Sequence, residues 1–250
     1  MARAKRTCVI MKNLSKILFL GLTLFLLNSC GLFFNCTEGS GEIITKTFDD
    51  LKFDEVSISI SANVLFVQDE NARIELSTYE NFFELIEVDN ASKRVKIKSD
   101  GCLNSDERTR LTVYYQDLSE ITINGSSDLK FSDTLITKNF SLKINGSGDI
   151  DLPVKANSVE VKINGSGDAL VYGSAKDCEF KINGSGNIQA KDLVAENGKV
   201  GINGSGDVSV NASKSLEASI TGSGDIEYLG NPKEFEGKST GSGSIKKLSN

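Results

Sequence analysis

Apolar and polar residues alternate along most of the chain after residue 38, which is the pattern of β-strands with one buried face. The alternation is most regular around a short motif, Ile-Asn-Gly-Ser-Gly-Asp, that recurs with small changes through the second half of the chain. In most copies apolar residues stand six, four and two positions before the first glycine, and again four and six positions after it. Each copy therefore predicts two short strands joined by a Gly-Ser-Gly corner.

The spacing of the motif predicts how these strands are arranged. Seven copies follow one another at intervals of 18 to 21 residues, and their first glycines are Gly125, Gly146, Gly165, Gly184, Gly204, Gly222 and Gly241. A repeat of about 20 residues without helical periodicity indicates a solenoid in which each repeat is one coil stacked on the next. Such a coil has a perimeter of at most roughly 65 Å, which is too small for crossover helices. We therefore predict an all-β fold, a right-handed parallel β-helix (solenoid) of about 20-residue coils with GSGD corners. Its handedness follows the general rule for parallel crossovers.

Stacking in register brings identical side chains together, and the asparagine before each corner is the clearest case. These residues are Asn124, Asn145, Asn164, Asn183 and Asn203. Stacked amides satisfy one another by hydrogen bonding along the column, as they do in cross-β assemblies. We expect a structural ladder here rather than a ligand site.

Aspartate follows the corner in five copies, which raises the question of a cation site. The residues are Asp128, Asp149, Asp168, Asp207 and Asp225, and Asn187 interrupts the row. A Gly-Ser-Gly corner makes positive φ available at two points, and the aspartate can accept hydrogen bonds from the amides of its own turn. Calcium bound by Asp149, Asp168, Asp207 and Asp225 is the alternative, because Ca²⁺ prefers oxygen ligands.

The ends of the predicted solenoid differ from its middle. Residues 38–118 keep the strand alternation but lack the tight repeat, so we expect them to form irregular coils of the same stack, followed by the regular coils of residues 119–250. The segment from Asn81 to Ile86 is a candidate helical turn over the open N-terminal end of the core. Ser239, Ser244 and Lys247 make the last coil a polar cap. Residues 38–250 thus form one domain.

The N-terminal segment carries an export signal. Residues 17–27 are almost purely apolar and follow a basic stretch, which is typical of a signal peptide over residues 1–29 and too short to span a bilayer. Met11 begins a conventional signal sequence and is a second candidate for the true start. Leu27, Asn28, Ser29 and Cys30 resemble the lipobox of bacterial lipoproteins, in which the cysteine becomes acylated after cleavage. We expect lipidation at Cys30, a tether over residues 30–37 and a membrane attachment through the lipid. An uncleaved hydrophobic anchor is the alternative.

Composition and charge exclude several classes of function. The chain has no histidine, so Ser/His/Asp and Cys/His nucleophilic sites and histidine-ligated zinc are excluded. Five of the 28 basic residues and none of the 34 acidic ones lie in residues 1–29, which leaves a net charge of −11 on residues 30–250. That charge repels phosphate backbones and argues against nucleic-acid binding. Among the cysteines after Cys30, we expect a disulfide between Cys36 and Cys102, and Cys178 falls on an inward, buried row.

Three features of the chain occur together: the export signal with Cys30, the opening sequence GSGEIITKTFDDLKFDEVSIS and the repeated Gly-Ser-Gly corners. In these features the chain resembles the putative auto-transporter adhesin, head GIN domain family of bacterial envelope proteins. The resemblance covers nearly all of the chain after the signal peptide. It implies a β-helical domain in the periplasm or on the surface, anchored as a lipoprotein, with a role in adhesion. No catalytic residues are defined for this family, so none is carried over, and we expect no cofactor.

The repeat itself favours binding over catalysis. Neighbouring coils place carboxylates about 5 Å apart, as in retaining glycosidases, but near-identical coils do not make one carboxyl group different from its partner. The outward lysines Lys143, Lys162 and Lys181 beside Glu160 and Glu179 predict a solvated, charge-paired face. We therefore expect a non-catalytic envelope lipoprotein of the outer membrane that binds a polysaccharide or an envelope protein through flat faces. A carbohydrate-active β-helix enzyme and a purely structural envelope protein joined through its coil ends are the alternatives.

Overall fold

The computed structural model describes residues 36–104 and 108–249. The predicted signal peptide, Cys30 and most of the tether lie outside the described residues. Within them the chain forms one 3₁₀ helix, Glu80–Glu84, and the following strands. They are β1 Thr37–Glu38, β2 Ile43–Phe48, β3 Glu55–Ser59, β4 Asn63–Gln68, β5 Arg73–Tyr79, β6 Ile86–Ala91, β7 Arg94–Ser99, β8 Leu103–Asn104, β9 Arg110–Tyr115, β10 Glu120–Gly125, β11 Asp128–Phe131, β12 Leu135–Ile136, β13 Asn139–Gly146, β14 Ile150–Gly165, β15 Ala169–Gly184, β16 Ile188–Gly204, β17 Val208–Gly222, β18 Ile226–Leu229, β19 Glu234–Gly241 and β20 Ile245–Lys247.

The strands form a β-solenoid of about seven turns, and its coils of about 19 residues stack in parallel. The first face is built from the segments that lead into the corners: β7, β3, β10, β13, the second parts of β14 to β17, and β19. The second face is built from the segments that leave the corners: β9, β4, β11, the first parts of β14 to β17, then β18 and β20. The predicted all-β parallel solenoid is confirmed. Its right-handed sense stays a prediction.

Equivalent residues of successive repeats pair with one another throughout the regular coils. Asn145 pairs with Asn164, Asn164 with Asn183, and each corner glycine with the next. The apolar residue two positions before each corner glycine is at most 3% exposed from Ile123 to Ile220. These inward rows from both faces form one continuous core, since no coil can bury its apolar side chains alone.

The N-terminal coils belong to the same stack, but their spatial order differs from their order in the chain. The coil of β7 and β9 lies outside the earlier coil of β3 and β4, while β10 and β11 pair with the other side of β3 and β4. Antiparallel strands then close this end: β6 pairs with β7, β5 with β9, and β2 with β5. The 3₁₀ helix connects β5 to β6, and its Phe82 is fully buried. The helical turn expected at this end is present, but the antiparallel pairing of the strands around it and the inverted order of the coils were not predicted.

The C-terminal end has no antiparallel closure within the described residues. All of β19 is exposed, since no further strand pairs with it within the described residues, and Gly237 and Ser239 stand where apolar side chains stand in earlier coils. Phe235 is 48% exposed and stacks on Tyr228 with ring centroids 5.1 Å apart. The last coil is therefore the polar one that the sequence predicted, except for this aromatic pair.

A disulfide joins Cys36 to Cys102 across a sequence separation of 66 residues, as predicted. It lies beside the short parallel pair of β1 and β8. The disulfide links the beginning of the described chain to the coil of β7 and β9, whose position in the stack differs from its position in the sequence. No helix in the described part of the chain combines the length and the apolar character needed to cross a bilayer.

Candidate functional site

The corners explain why the motif is so constant. A Cβ atom on Gly165 would lie 2.0 Å from the carbonyl oxygen of Gly146, and one on Gly167 would lie 2.4 Å from that of Gly148. Both glycines are therefore required because backbones of adjacent coils approach closely. Positive φ, in contrast, is confined to the first glycine of each corner, for example 153° at Gly165. Of the two points at which the corner makes positive φ available, the structure uses the first, and close approach alone accounts for the second glycine.

The aspartates after the corners bond to the neighbouring coil instead of their own turn. The carboxylate of Asp128 accepts a hydrogen bond from the amide of Asp149 at 2.9 Å, and Asp207 accepts one from the amide of Asp225 at 2.7 Å. The same bond recurs through Asp149, Asp168, Asn187 and Asp225. The expected capping of the aspartate's own turn was wrong, because stacking brings the amide of the next coil within reach first.

This ladder changes how the acidic row can be interpreted as a site. Asn187 continues it with its own side-chain oxygen, so the interruption in the sequence does not break it. Ser244 donates from its hydroxyl and its amide to Asp225, and these bonds lower the pKa of that carboxyl group. No group of three or more acidic or cysteine side chains suited to holding a metal ion occurs among the described residues. The aspartates therefore have a structural role as a ladder of hydrogen bonds between coils.

The asparagine ladder runs along the outer surface of the first face. The side-chain amide of Asn145 donates to Asn124 at 2.9 Å, Asn164 to Asn145 at 2.9 Å, and Asn183 to Asn164 at 2.8 Å. Asn124 extends the ladder by donating to the hydroxyl of Ser59. Asn203 is in register with Asn183, but no side-chain hydrogen bond joins the two within the described structure. The ladder is exposed, so its amides are also available to a ligand.

Charged residues flank this ladder in two further columns. Lys162 pairs with Glu160 and Lys181 with Glu179, as the sequence predicted. Glu120 receives Lys143 at 2.9 Å and Arg94 at 3.1 Å. Burial raises the pKa of Glu120, but the hydrogen bond and charge of Lys143 and the charge of Arg94 outweigh it, so the net pKa is lowered. We call the outer surface of the first face, with its asparagine, lysine and glutamate columns from β10 to β15, the amide–charge face.

A groove of about 780 Å³ borders the first face on the side away from the corners. A second polar row lies along it, in which Asn197 donates to Asp177 at 2.7 Å and Ser215 donates to Asn197 at 2.9 Å. Exposed Phe235 lies at the C-terminal end of the groove. Aligning the repeats with one another does not reveal this row, because its residues differ from coil to coil. Their common position, seven residues before each corner glycine, is the signal that could have found it.

Cys178 borders the same groove but is a core residue. It is 4% exposed and lies on the inward row of the first face. Burial, with a smaller effect of Asp177, raises the pKa of its thiol to about 12. The thiol therefore stays protonated at neutral pH, which is consistent with the small buried hydrophobe that the sequence predicted.

The corner ladder and the amide–charge face repeat similar polar groups from one coil to the next. The carboxylates of the corner ladder each accept the amide of the next coil, and Asp225 differs by also accepting from the hydroxyl of Ser244. The amide–charge face presents the same amide, ammonium and carboxylate groups in register over several coils. Chemically, this surface can bind a long or repeating partner by hydrogen bonds and ion pairs.

Comparison with solved structures shows the same fold in three bacterial proteins. A "putative adhesin" from Bacteroides fragilis NCTC 9343 has a TM-score of 0.79 and 24% identity, covering 85% of this chain and 100% of that one. A "putative lipid binding protein" from Parabacteroides distasonis ATCC 8503 has a TM-score of 0.74 and 23% identity over 86% and 100%. A "putative adhesin" from Parabacteroides merdae ATCC 43184 has a TM-score of 0.66 and 19% identity over 85% and 99%. No curated protein matches the chain at a significant level.

Structures with so little sequence identity show the fold alone, whereas a match to a family model shows the family. The model described as "Putative auto-transporter adhesin, head GIN domain" matches residues 52–232. The match includes the inverted N-terminal coils as well as most of the regular ones. It spans more than half of the sequence, so this chain belongs to the putative auto-transporter adhesin, head GIN domain family.

Proposed function

We propose that the protein is a non-catalytic adhesion or binding module of the bacterial cell envelope, whose amide–charge face contacts a polysaccharide or a protein. The observation that carries this proposal is the exposed, in-register array of Asn145, Asn164 and Asn183 beside paired lysines and glutamates. A ligand with a repeating structure would meet equivalent groups at each coil, spaced about 4.8 Å apart. Many weak, equivalent contacts then add up to useful avidity.

Family membership and fold support the adhesive and envelope part of this proposal. The family description names an adhesin head domain, and two of the three solved structures are described as adhesins. The one described as lipid binding gives a competing ligand class. The polar character of the amide–charge face favours a polymer or a protein surface over an acyl chain, because lipid sites are mostly apolar.

A binding experiment with a matched control tests the role of this face. The full chain is measured by biolayer interferometry against immobilised neutral and acidic polysaccharides, matrix proteins and phospholipid vesicles. A variant with Lys143→Gln, Lys162→Gln and Lys181→Gln is compared with one carrying Lys130→Gln, Lys155→Gln and Lys191→Gln. Both variants lose three positive charges at exposed or half-exposed positions, but the second set lies off the first face.

The two variants separate a specific site from general electrostatics. We expect the first-face variant to lose at least tenfold in affinity for a polysaccharide or protein ligand, and the control to keep wild-type affinity. Equal losses in both would contradict a site on the amide–charge face, and so would binding to vesicles alone. Release of reducing ends or unsaturated products from the same polysaccharides would contradict the absence of catalysis.

Membrane attachment through Cys30 is the second part of the proposal, and it is tested separately. The supporting observation is the lipobox-like Leu27-Asn28-Ser29-Cys30 sequence behind the apolar run. Cells labelled with palmitate should carry the label on the wild-type protein and lose it completely in Cys30→Ser. Retained label in the variant, or membrane retention without any label, would contradict the lipoprotein assignment.

A further inference from the structure

We propose that the protein associates with itself head to tail, the C-terminal end of one solenoid docking on the N-terminal end of a second copy. The proposal concerns the ends of the solenoid and not its faces. The proposal is therefore independent of whether the amide–charge face binds a ligand.

The C-terminal end presents unpaired strand edges. Within the described residues β19 pairs with β17 alone and β20 with β18 alone, so each has one edge free. Phe235 is 48% exposed at this edge, and Ile245 is partly buried against the core. Free backbone groups beside exposed apolar side chains are a template for another strand.

The N-terminal end offers complementary edges. Over the described part of the chain β6 pairs with β7 alone and β2 with β5 alone, which again leaves one free edge each. Exposed Ile43 lies on β2. In the described residues the solenoid thus ends in a strand edge on both faces at both ends, so a second copy can continue both sheets.

The net charges of the N-terminal and C-terminal ends of the solenoid determine which ends attract each other. From Arg73 to Ala91, through β5, the 3₁₀ helix and β6, the chain carries five acidic residues and one basic residue. From Lys233 to Ser249 it carries four lysines and two glutamates. An N-terminal end therefore attracts a C-terminal end, whereas two like ends repel each other.

The fold already contains a pattern for this contact. Glu87 of β6 pairs with Lys98 of β7 at 3.0 Å on the outer surface of the first face, and Asp89 stands opposite Lys96. Lys238 of β19 is on the same outer surface, in register with Ser219. When β19 of one copy lies beside β6 of another, Lys238 meets the same two carboxylates from their free side.

The contact area is one cross-section of a narrow solenoid, which falls below the size of stable interfaces. The association is therefore weak and sensitive to salt, because its charges are exposed. A head-to-tail contact leaves a free end on every assembly, so it produces chains of copies and not a closed dimer.

The test uses two variants that each block one end. The N-blocked variant carries Glu84→Lys and Asp89→Lys, and the C-blocked variant carries Lys238→Glu and Lys246→Glu. A matched control carries Lys155→Glu and Lys191→Glu, which lie away from both ends. The full-length chains are compared in a mild detergent by light scattering, with the detergent contribution subtracted, and circular dichroism verifies that each variant is folded.

We expect the wild-type mass at low salt to rise with concentration beyond that of two copies, and to fall to one copy at about 0.5 M salt, where charges are screened beyond a few Å. Each blocked variant alone should stay at one copy, and the control should behave like the wild type. An equimolar mixture of the two blocked variants should again grow beyond two copies, because the unaltered ends attract each other and the two altered ends are also opposite in charge. A wild type that stays at one copy at low salt would overturn the proposal. Dimers of the N-blocked variant alone would show C-to-C contact, and dimers of the C-blocked variant alone N-to-N contact, and either would overturn it.

Discussion

The regular coils and the N-terminal coils solve the same packing problem in different ways. From β13 to β17 each coil lies between its neighbours in the chain, and nearly identical residues meet in register. Before β10 the order is inverted, antiparallel strands appear and a disulfide ties the chain. A stack of identical coils cannot close its own end, so the end is made of elements that the repeat lacks.

At the junction between the two regions, the residue type found at a corner depends on the coil that is stacked against it. Most copies have glycine as the third corner residue, but Ser127 takes this place in the first copy. Its partner is the irregular corner after β3, where the Ser127 hydroxyl donates to the carbonyl of Ile60 at 2.5 Å and accepts from the amide of Ala62 at 3.2 Å. Glycine is required only where the neighbouring backbone approaches as closely as it does at Gly148.

The largest expected effect that sharpens this comparison is Gly204→Ala. Its Cβ atom would lie 2.0 Å from the carbonyl oxygen of Gly184, at a φ of 145°. Strain and overpacking together predict a loss of about 4 kcal/mol or more in the free energy of unfolding, measured by urea denaturation. The matched control is Gly201→Ala in the same strand, where the nearest atom is 3.6 Å away and we expect no loss. Similar losses in both variants would contradict the close approach of stacked backbones.

The next effect concerns the irregular end. Replacing Cys36 and Cys102 by serine opens a loop of 66 residues, which we expect to cost about 3 kcal/mol. The loss should appear first as faster hydrogen exchange in β7 and β9, while β14 to β17 keep their protection. Reduction of the wild-type protein should reproduce the change. Uniform loss of protection along the whole solenoid would indicate that the two regions unfold as one unit.

A smaller effect tests the asparagine ladder within the regular coils. Asn164→Ala removes one donor and one acceptor of the ladder, and we expect a loss of about 1 kcal/mol in the free energy of unfolding. Asn203→Ala is the control in the same column, because no ladder bond to Asn183 exists there in the described structure, and its expected loss is close to zero. Equal effects at the two positions would argue that the ladder contributes nothing to stability.

The smallest expected effect is a pH dependence at the ion pairs that bridge the regions. Glu120 contacts Arg94 of the irregular end and Lys143 of the repeat, and its pKa is lowered in the folded protein. A lowered folded-state pKa stabilises the protein above the unfolded-state value near 4.3, and this stability is lost as the pH falls through the folded-state pKa. Glu120→Gln should therefore reduce stability at pH 7 by less than about 1 kcal/mol and have no effect near pH 2. A larger effect in acid than at neutral pH would contradict the sign.

Much of the candidate surface could be predicted from the repeat alone. The ladder from Asn124 to Asn183 follows from the spacing of the repeat, because parallel stacking brings residues at equal positions together. The ion pairs of Glu160 and Glu179 follow from strand alternation, because residues two apart in one strand lie on the same face. The partner of the corner aspartates could not be predicted, since the amides of their own turn and the amide of the next coil are both donors that a carboxylate can accept. The polar row of Asp177 and Asn197 was missed because its residues are complementary and not identical.

The sequence by itself determined the family, the solenoid and its core, since a period-two pattern inside a nineteen-residue repeat has few other ways to bury its apolar rows. The tertiary structure alone decided how the N-terminal end is closed. The inversion of the coil of β7 and β9 depends on contacts between residues far apart in sequence, which leave no periodic trace. Repetition makes long-range contacts predictable from local spacing, and where repetition stops, only the folded chain shows which segments meet.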